Sequence, residues 1–488
     1  MKTYFPVFLL LLLSFTICAQ QIKVSYAGDQ IKDAFSGSVV LYLSKENPNP
    51  KAAFLPIELP PVYRVEVTNL KPNEQVVFDD TSIFYPAELS NIERGDYYVQ
   101  AVFDRNLGGQ YMANSPGNLY SKPIKVTFDK RFDKVFELVC TEIVNDIPFS
   151  ETNQLKELKL RSSLLSSFHN EDTYISGAVQ LPEGYDASDV SYPVIFSVFG
   201  YGANYKLHSG KGKYVFHKLN NEPAIVVYLD GNCKEGHSVY ANSDINGPWG
   251  NALVKEFIPE LSKKYRTKDA RFLFGHSSGG WTVLWLQMQY PETFSGCWSS
   301  APDQVDFRNW QGSNIYEDSN KFYSEKGMLL YDLMLAGRFP IVSGKDLYGI
   351  EKVIDRGEQF HSFDAVFSSR DKNNQIRRLV NSTTGAIDNE TARELFRRYD
   401  ISYQLRHNWE FYKPLISNKM RISVGTADNF KLNSAVELLE GELEKLHANT
   451  AIEIEYFPGD HFTVFTEEYV AKGQAFLDSC YENWSANK

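Results

Sequence analysis

The sequence predicts an α/β protein with a mostly parallel central sheet, preceded by an all-β domain. Three observations carry this. Residues from about 22 to 130 alternate short β-rich runs with turn residues, as in IKVSYAGD, GSVVLYLS and VYRVEVTNL. Strands this short at near-regular spacing suggest an antiparallel sandwich. From about 155 the apolar runs lose their alternation: YPVIFSVFG, PAIVVYLDG, RFLFG, SGCWSSA, MRISVG and IEIEYF. A strand apolar on both faces belongs inside a sheet covered by helices. Helical segments such as ALVKEFIPELSKKY (252–265) and SAVELLEGELEKLHA (434–448) lie between these runs. Strand, helix, strand in succession gives a parallel, doubly covered sheet.

The length of 488 residues allows about two to four domains. The formal net charge is −11 and there is no long Lys/Arg run, which argues against a nucleic-acid partner. The start, MKTYFPVFLLLLLSFTICAQQ, has one Lys, a short apolar core and small residues after it. This is the layout of a secretory signal peptide over residues 1–20, too short to span a membrane. It implies a periplasmic or secreted protein. Lipoprotein processing at Cys18 is the rival, disfavoured by bulky Ile17 before it. Residues 21–130 then read as an immunoglobulin-like sandwich, 131–154 as a linker and 155–482 as the α/β domain. Residues 303–415 are polar and aromatic with scattered helical pieces such as MLLYDLML and TARELFRRYD, and read as a lid-like insertion. Cys140, Cys233, Cys297 and Cys480 remain after the leader; disulfides are permitted, but buried free thiols suffice in a chain this long. No Cys or His cluster has zinc-ligand spacing, and the chemistry below requires no cofactor.

Gly275-His276-Ser277-Ser278-Gly279 follows the apolar run Arg271 to Phe274. Beyond it, Trp281, Leu284, Trp285 and Met288 fall on one helical face, and Pro291 ends the helix at Tyr290. A G-x-S-x-G turn between strand and helix is a nucleophile elbow, the signature of the α/β-hydrolase fold. Ser277 is then the nucleophile. The backbone N–H of Ser278 starts the helix and can donate to an oxyanion, a role for which its hydroxyl is expendable. His276 reads as an elbow filler.

A serine hydroxyl needs a base, and the base an orienter. In this fold the order is Ser, acid, His. MRISVGTADNF supplies Asp428 beyond a late strand, and IEIEYFPGDHF supplies His461 beyond the last. Asp303 and Asp306 are the fallback acids. His447, toward the end of a helix, is accounted for by capping. The second oxyanion donor comes from SVFGYGANY, at Gly200 or the Tyr201 N–H. The predicted reaction is attack of Ser277 on an ester carbonyl, with His461 as base and Asp428 holding the imidazole.

With these residues in place the chain resembles the esterase D family of α/β-hydrolases, which includes S-formylglutathione hydrolases, feruloyl esterases and enterochelin-esterase-like proteins. The resemblance covers about 155 to 480. It is carried by YPVIFSVFGYG, VVYLDGN through GHSVYANSDINGPWGNALVKEFIPEL, FLFGHSSGGW, GTADNF and PGDHF. It implies Ser277, Asp428 and His461 as the triad. Many members have a His where Phe199 stands. In relatives the loop GHSVYANSDINGPWG (236–250) borders the active site, so His237, Tyr240, Asn242 and Trp249 are candidate substrate-binding residues; a rigid loop fixed by Asn and Gly turns is the alternative.

The favoured function is an exported serine esterase acting on a small-molecule or carbohydrate ester. The alternatives are a serine peptidase or an acyltransferase of the same fold, or a non-catalytic binding protein on an esterase scaffold. The residues specify no oligomer.

Overall fold

A computed structural model describes residues 21–53, 58–129, 135–211, 216–448 and 451–488. The leader expected over 1–20 lies outside the described residues. The chain divides into two compact units, one of residues up to 51 with 60–103 and 119–142, the other of 52–59, 104–118 and 143–488. Among the described residues no helix is long and apolar enough to cross a membrane.

Among its described residues the first unit's regular structure is β apart from short 3-10 turns such as Leu89–Asn91. Among the described residues its nine strands form one sheet, eight along a hydrogen-bonded path and Ile124–Phe128 paired off it with Gly95–Asp104. Its core is built from strands buried on both faces: residues 38–43 and 99–104 are buried at every position, with Val39, Leu41 and Phe103 fully so. Phe103 meets Tyr26 and Phe35 edge-to-face at 5.3 and 5.0 Å. The pairing is not wholly antiparallel as the sequence suggests, because Gln21–Tyr26 pairs parallel with Val135–Ile143. That last strand falls in the expected 131–154 linker, which is a correction. Its inward face is Phe136, Leu138 and Cys140, but Val135 and Val139 on the exposed face are apolar too, so the period-two signal is thin in sequence.

The second unit carries the central sheet. We number its strands β1 (Leu155–Arg161), β2 (Tyr174–Gln180), β3 (Tyr192–Val198), β4 (Ile225–Leu229), β5 (Thr267–His276), β6 (Gly296–Ser300), β7 (Met420–Gly425) and β8 (Glu453–Phe457). Their order across the sheet is β1-β2-β4-β3-β5-β6-β7-β8. The β1–β2 and β2–β4 pairs are antiparallel and the rest parallel. β4, β6 and β7 are buried at every position, as unalternated apolar runs require. Five helices matter for the site: α1 (Ser278–Gln289), α2 (Gly344–Ile354), α3 (Gln359–Phe367), α4 (Leu432–Lys445) and α5 (Glu467–Ala486). α1 stops at a Tyr290 C-cap, before Pro291. It is buried on nearly every side rather than on one face.

The 303–415 insertion differs from a loose lid. Its aromatic residues join the same hydrophobic cluster as the sheet. Trp281 and Trp285 of α1 stack at 5.3 Å, and Phe367 of α3 and Tyr399 pack on them at 5.2 and 5.5 Å. The polar residues that make this stretch look loop-like are largely caps. Ser343 and Asp346 form a capping box on α2, and Asp388 and Asp400 cap two shorter helices. MLLYDLML is not helical: Tyr331–Leu335 pairs with Phe339–Ser343 in a hairpin that turns through Ala336 and Gly337 at positive φ. Cys140, Cys297 and Cys480 are buried thiols, and Cys233 is half-buried.

Candidate active site

β5 delivers the chain to Ser277, and α1 begins at the next residue. Ser277 has φ 58° and ψ −125°, a conformation L-residues avoid at a cost of roughly 1–3 kcal/mol. Crowding explains the flanking glycines. A Cβ on Gly275 would lie 2.2 Å from the Gly279 carbonyl oxygen, and one on Gly279 would lie 2.1 Å from that of Val198. The turn is pinned from the next strand: Ser277 N–H donates to Ser300 O at 3.0 Å, and Asp303 N–H donates to Ser277 O at 3.1 Å.

Asp428 lies in the loop after β7, just before α4. Its Oδ1 accepts from the Phe430 and Leu432 N–H groups at 2.9 and 3.3 Å. Its Oδ2 stands 2.8 Å from Nδ1 of His461, in the loop after β8. Both side chains are almost wholly buried. Asn429 braces the pair. Its Oδ1 accepts from His461 N–H at 3.0 Å, and its Nδ2 donates to Met334 O, so the insertion's hairpin supports the acid loop. Burial alone would lower the His461 pKa. The Asp428 charge and hydrogen bond outweigh it, with smaller help from Asp303 and Asp460, and hold it above 6.5.

Ser277 and His461 open on one cavity of about 380 Å³. Gly200 and Tyr201, after β3, line it too; a Cβ on Gly200 would stand 3.1 Å from Ser277 Cβ. Tyr201 is anchored by its hydroxyl, which donates to Gly357 O at 2.5 Å. Ser278 is buried at the start of α1, and its hydroxyl is engaged: it donates to Asp303 Oδ2 at 2.5 Å. Ser277 Oγ donates to Asp303 Oδ1 at 3.4 Å. Burial pushes the Asp303 carboxyl up to about 6, against the pull of Ser278, His461 and Ser277. Asp306 is bound up with Arg308, away from this cluster.

His276 does more than fill the elbow. Its ring packs 4.5 Å from the His461 ring, and its Nδ1 is 2.9 Å from Ser300 Oγ. Burial, then the neighbouring His461, holds its pKa well below the ordinary value, so it stays neutral.

None of the four residues expected to bind substrate is among the residues lining this cavity. His237, Tyr240 and Trp249 are buried in the protein interior. His237 Nδ1 accepts from Val239 N–H at 2.9 Å, and Trp249 meets Tyr240 edge-to-face at 6.0 Å. Asn242 is exposed, but its Nδ2 donates to Tyr290 OH and its Oδ1 accepts from Asn251 N–H. Val239 and Tyr240, both at positive φ, turn the loop inward. The lining that sequence reading missed is aromatic and amide: Tyr111, Gln311, Gln359, Phe430 and Phe462. Phe430 and Phe462 sit in the motifs that carry Asp428 and His461 and were findable there. Tyr111, Gln311 and Gln359 come from distant segments with no local signal.

The profile of a family described as "Putative esterase" matches residues 170–421, a span that contains Ser277 and ends before Asp428. Solved structures similar to the chain include a ferulic acid esterase, at 13% identity over 67% of this chain and 99% of that one, with a TM-score of 0.39. Another is the fluorophosphonate-binding serine hydrolase F of Staphylococcus aureus, substrate bound, at 13% identity over 66% and 98%, with a TM-score of 0.39. A third is an S-formylglutathione hydrolase from Agrobacterium tumefaciens, at 16% identity over 68% and 94%, with a TM-score of 0.37. No curated protein matches the chain.

Proposed function

Because the chain belongs to this esterase family and is a carboxylic ester hydrolase, we propose that it works through an acyl-enzyme on Ser277 in an α/β-hydrolase domain. One observation carries the reading. A strained serine and a buried histidine share a cavity, and the histidine's Nδ1 is held at 2.8 Å by a carboxylate, which leaves Nε2 for the serine.

Ser277 Oγ attacks the ester carbonyl carbon as its proton passes to His461 Nε2. Asp428 keeps the Nδ1–H tautomer and stabilises the imidazolium. The oxyanion takes hydrogen bonds from the Tyr201 and Ser278 N–H groups; losing one such donor costs roughly 10²–10³ in kcat. The imidazolium then gives its proton to the leaving alcohol. Water, deprotonated by His461, releases the acid and restores Ser277. His461 must be neutral to begin, and its pKa is held above 6.5, so activity should fall as pH drops through a midpoint above that value.

On the finer points, we read the first unit as immunoglobulin-like, the leader as an export signal, and the ester as one carried by a polysaccharide. The added β-unit supports this substrate class, and the export proposed here agrees with it.

The test is hydrolysis of p-nitrophenyl acetate, butyrate and ferulate by the chain from Gln21, beside Ser277→Ala. A burst of p-nitrophenol, absent in the variant, is the expected result. Activity unchanged by the substitution would sink the reading. Faster cleavage of matched amides would redirect it to a peptidase, and transfer to added alcohol to an acyltransferase.

A further inference from the structure

The mechanism above uses one carboxylate, but two approach the reacting groups. Asp303 follows β6, lines the cavity and is 6% exposed. It is tied to the elbow at three points. Its N–H donates to Ser277 O, its Oδ2 accepts from the Ser278 hydroxyl at 2.5 Å, and its Oδ1 accepts from Ser277 Oγ at 3.4 Å. Asp428 already orients His461, so Asp303 is not needed as the triad acid.

We propose that Asp303 is a positioning residue of the ester hydrolysis: clamped by the Ser278 hydroxyl, its carboxylate stands 3.4 Å from Ser277 Oγ and shares with Asp428 the stabilisation of the His461 cation. This deepens the reading of Ser277 and His461 given above and rests on it. It also accounts for the paired serines. Any residue at 278 would present a backbone N–H to the oxyanion, but only one with a short donor clamps Asp303.

Titratable groups face His461 from four directions, and three of them carry charge. Asp428 follows β7, Asp303 follows β6, Asp460 precedes His461 in its own loop, and His276 ends β5. His276 is neutral and adds no charge. Asp460 is engaged with the Phe462 and Thr463 N–H groups and the Thr463 hydroxyl. Asp303 is ionised near neutral pH, since its pKa is about 6, and its charge is weakly screened inside the protein. When the Ser277 proton moves to His461 Nε2 and the Oγ–C bond forms, Asp303 takes up no proton. It acts by its charge on the new imidazolium.

The experiment compares full-chain wild type, Asp303→Asn, Ser278→Ala and Ser277→Ala in the pH profile of kcat/KM on p-nitrophenyl butyrate. Asp303→Asn keeps the shape and one acceptor oxygen, enough for the Ser278 hydroxyl, puts an NH2 group where Oδ1 faces Ser277, and removes the charge. Its acid limb should move down by roughly one pH unit. The same interaction lost from the transition state should lower kcat at pH 8 roughly tenfold. Ser278→Ala leaves the backbone donor and unclamps Asp303, so its limb should move the same way by less. A merely structural role would lower activity and leave the limb in place. An Asp303→Asn limb superimposed on wild type, or an undiminished kcat, overturns the proposal. Loss as complete as in Ser277→Ala also overturns it, by making Asp303 the base. If Asp303→Asn does not fold, a Ser278→Ala limb at the wild-type position overturns it. An active Ser277→Ala would instead defeat the underlying esterase reading.

Discussion

The elbow at 275–279 and the loop at 236–250 look alike in sequence. Both mix glycine with serine and histidine, and both hold non-glycine residues at positive φ: Ser277 at 58° in one, Val239 and Tyr240 at 42° and 48° in the other. Their side chains end in different places. Ser277 faces a cavity shared with His461, whereas Tyr240 is 1% exposed and packs on Trp249. Backbone strain therefore does not mark a site. In the elbow the strain presents a side chain to the cavity; in the loop it drives one into the interior.

The largest effect tests this contrast at the elbow. Removing the proposed nucleophile by Ser277→Ala should cut kcat by roughly 10⁶-fold, read by steady-state hydrolysis. A glycine probe then separates strain from contact. Ser277→Gly should hold stability or raise it by about 1 kcal/mol, since glycine adopts φ 58° freely. Tyr240→Gly relieves a similar strain but empties a core position, and should destabilise by about 3–5 kcal/mol in denaturant melts. Equal outcomes for the two glycine variants would dissolve the comparison. Trp249→Ala belongs with Tyr240→Gly, at about 3–5 kcal/mol, with KM unchanged in whatever fraction folds.

The same contrast explains what the sequence could disclose. Ser277, Asp428 and His461 each sit at the end of a strand in a short motif whose chemistry is local. A strand-turn-helix pattern places a serine, and a Gly-rich loop after a late strand places an acid or a histidine. Strands β4, β6 and β7 are legible because full burial writes an unbroken apolar run, whereas β8 is buried only at Phe457 and its EIEYF alternates. For the His237 loop the sequence leaves substrate binding and a rigid turn equally open, because its side chains are chosen by what lies beneath them, which the sequence does not state. Tyr111 reaches the cavity from residues 104–118, which chain order puts between two strands of the first unit. The insertion was read as a lid because capping Asp and Ser residues dilute its apolar pattern. Its aromatic face appears only once Trp281 and Trp285 are there to receive it.

A smaller effect separates the two histidines that this comparison involves. Burial lowers the His237 pKa to about 4, from an ordinary 6.5, whereas His461 is held above 6.5. Between pH 6.5 and 4 the unfolded chain binds a proton at residue 237 that the folded chain refuses. The stability gained by keeping His237 neutral is complete above about 6.5 and is lost as pH falls toward 4. His237→Asn keeps an acceptor for Val239 N–H and does not titrate. Relative to wild type, it should lose about 2 kcal/mol less on going from pH 7 to 5, measured by urea unfolding. For His461 the sign is opposite. Its contribution is present at low pH and lost as pH rises through its raised pKa, so a substitution there should not improve acid stability.

The smallest effect is the sharpest for the loop. Asn242 is exposed, so it is the one of the four candidates that solvent, and hence substrate, can reach. Yet its amide is spent within the protein, on Tyr290 OH at 2.9 Å and Asn251 N–H at 3.0 Å. An exposed pair of neutral hydrogen bonds contributes little, because water replaces both partners. Asn242→Ala should therefore change stability by no more than about 0.5 kcal/mol and leave kcat and KM on all three p-nitrophenyl esters at wild-type values. A KM that rises several-fold at unchanged stability would put a substrate group on Asn242 after all. It would mean that the loop reaches substrate along its outer edge while its centre serves the core, and the division drawn between elbow and loop would then run through the loop itself.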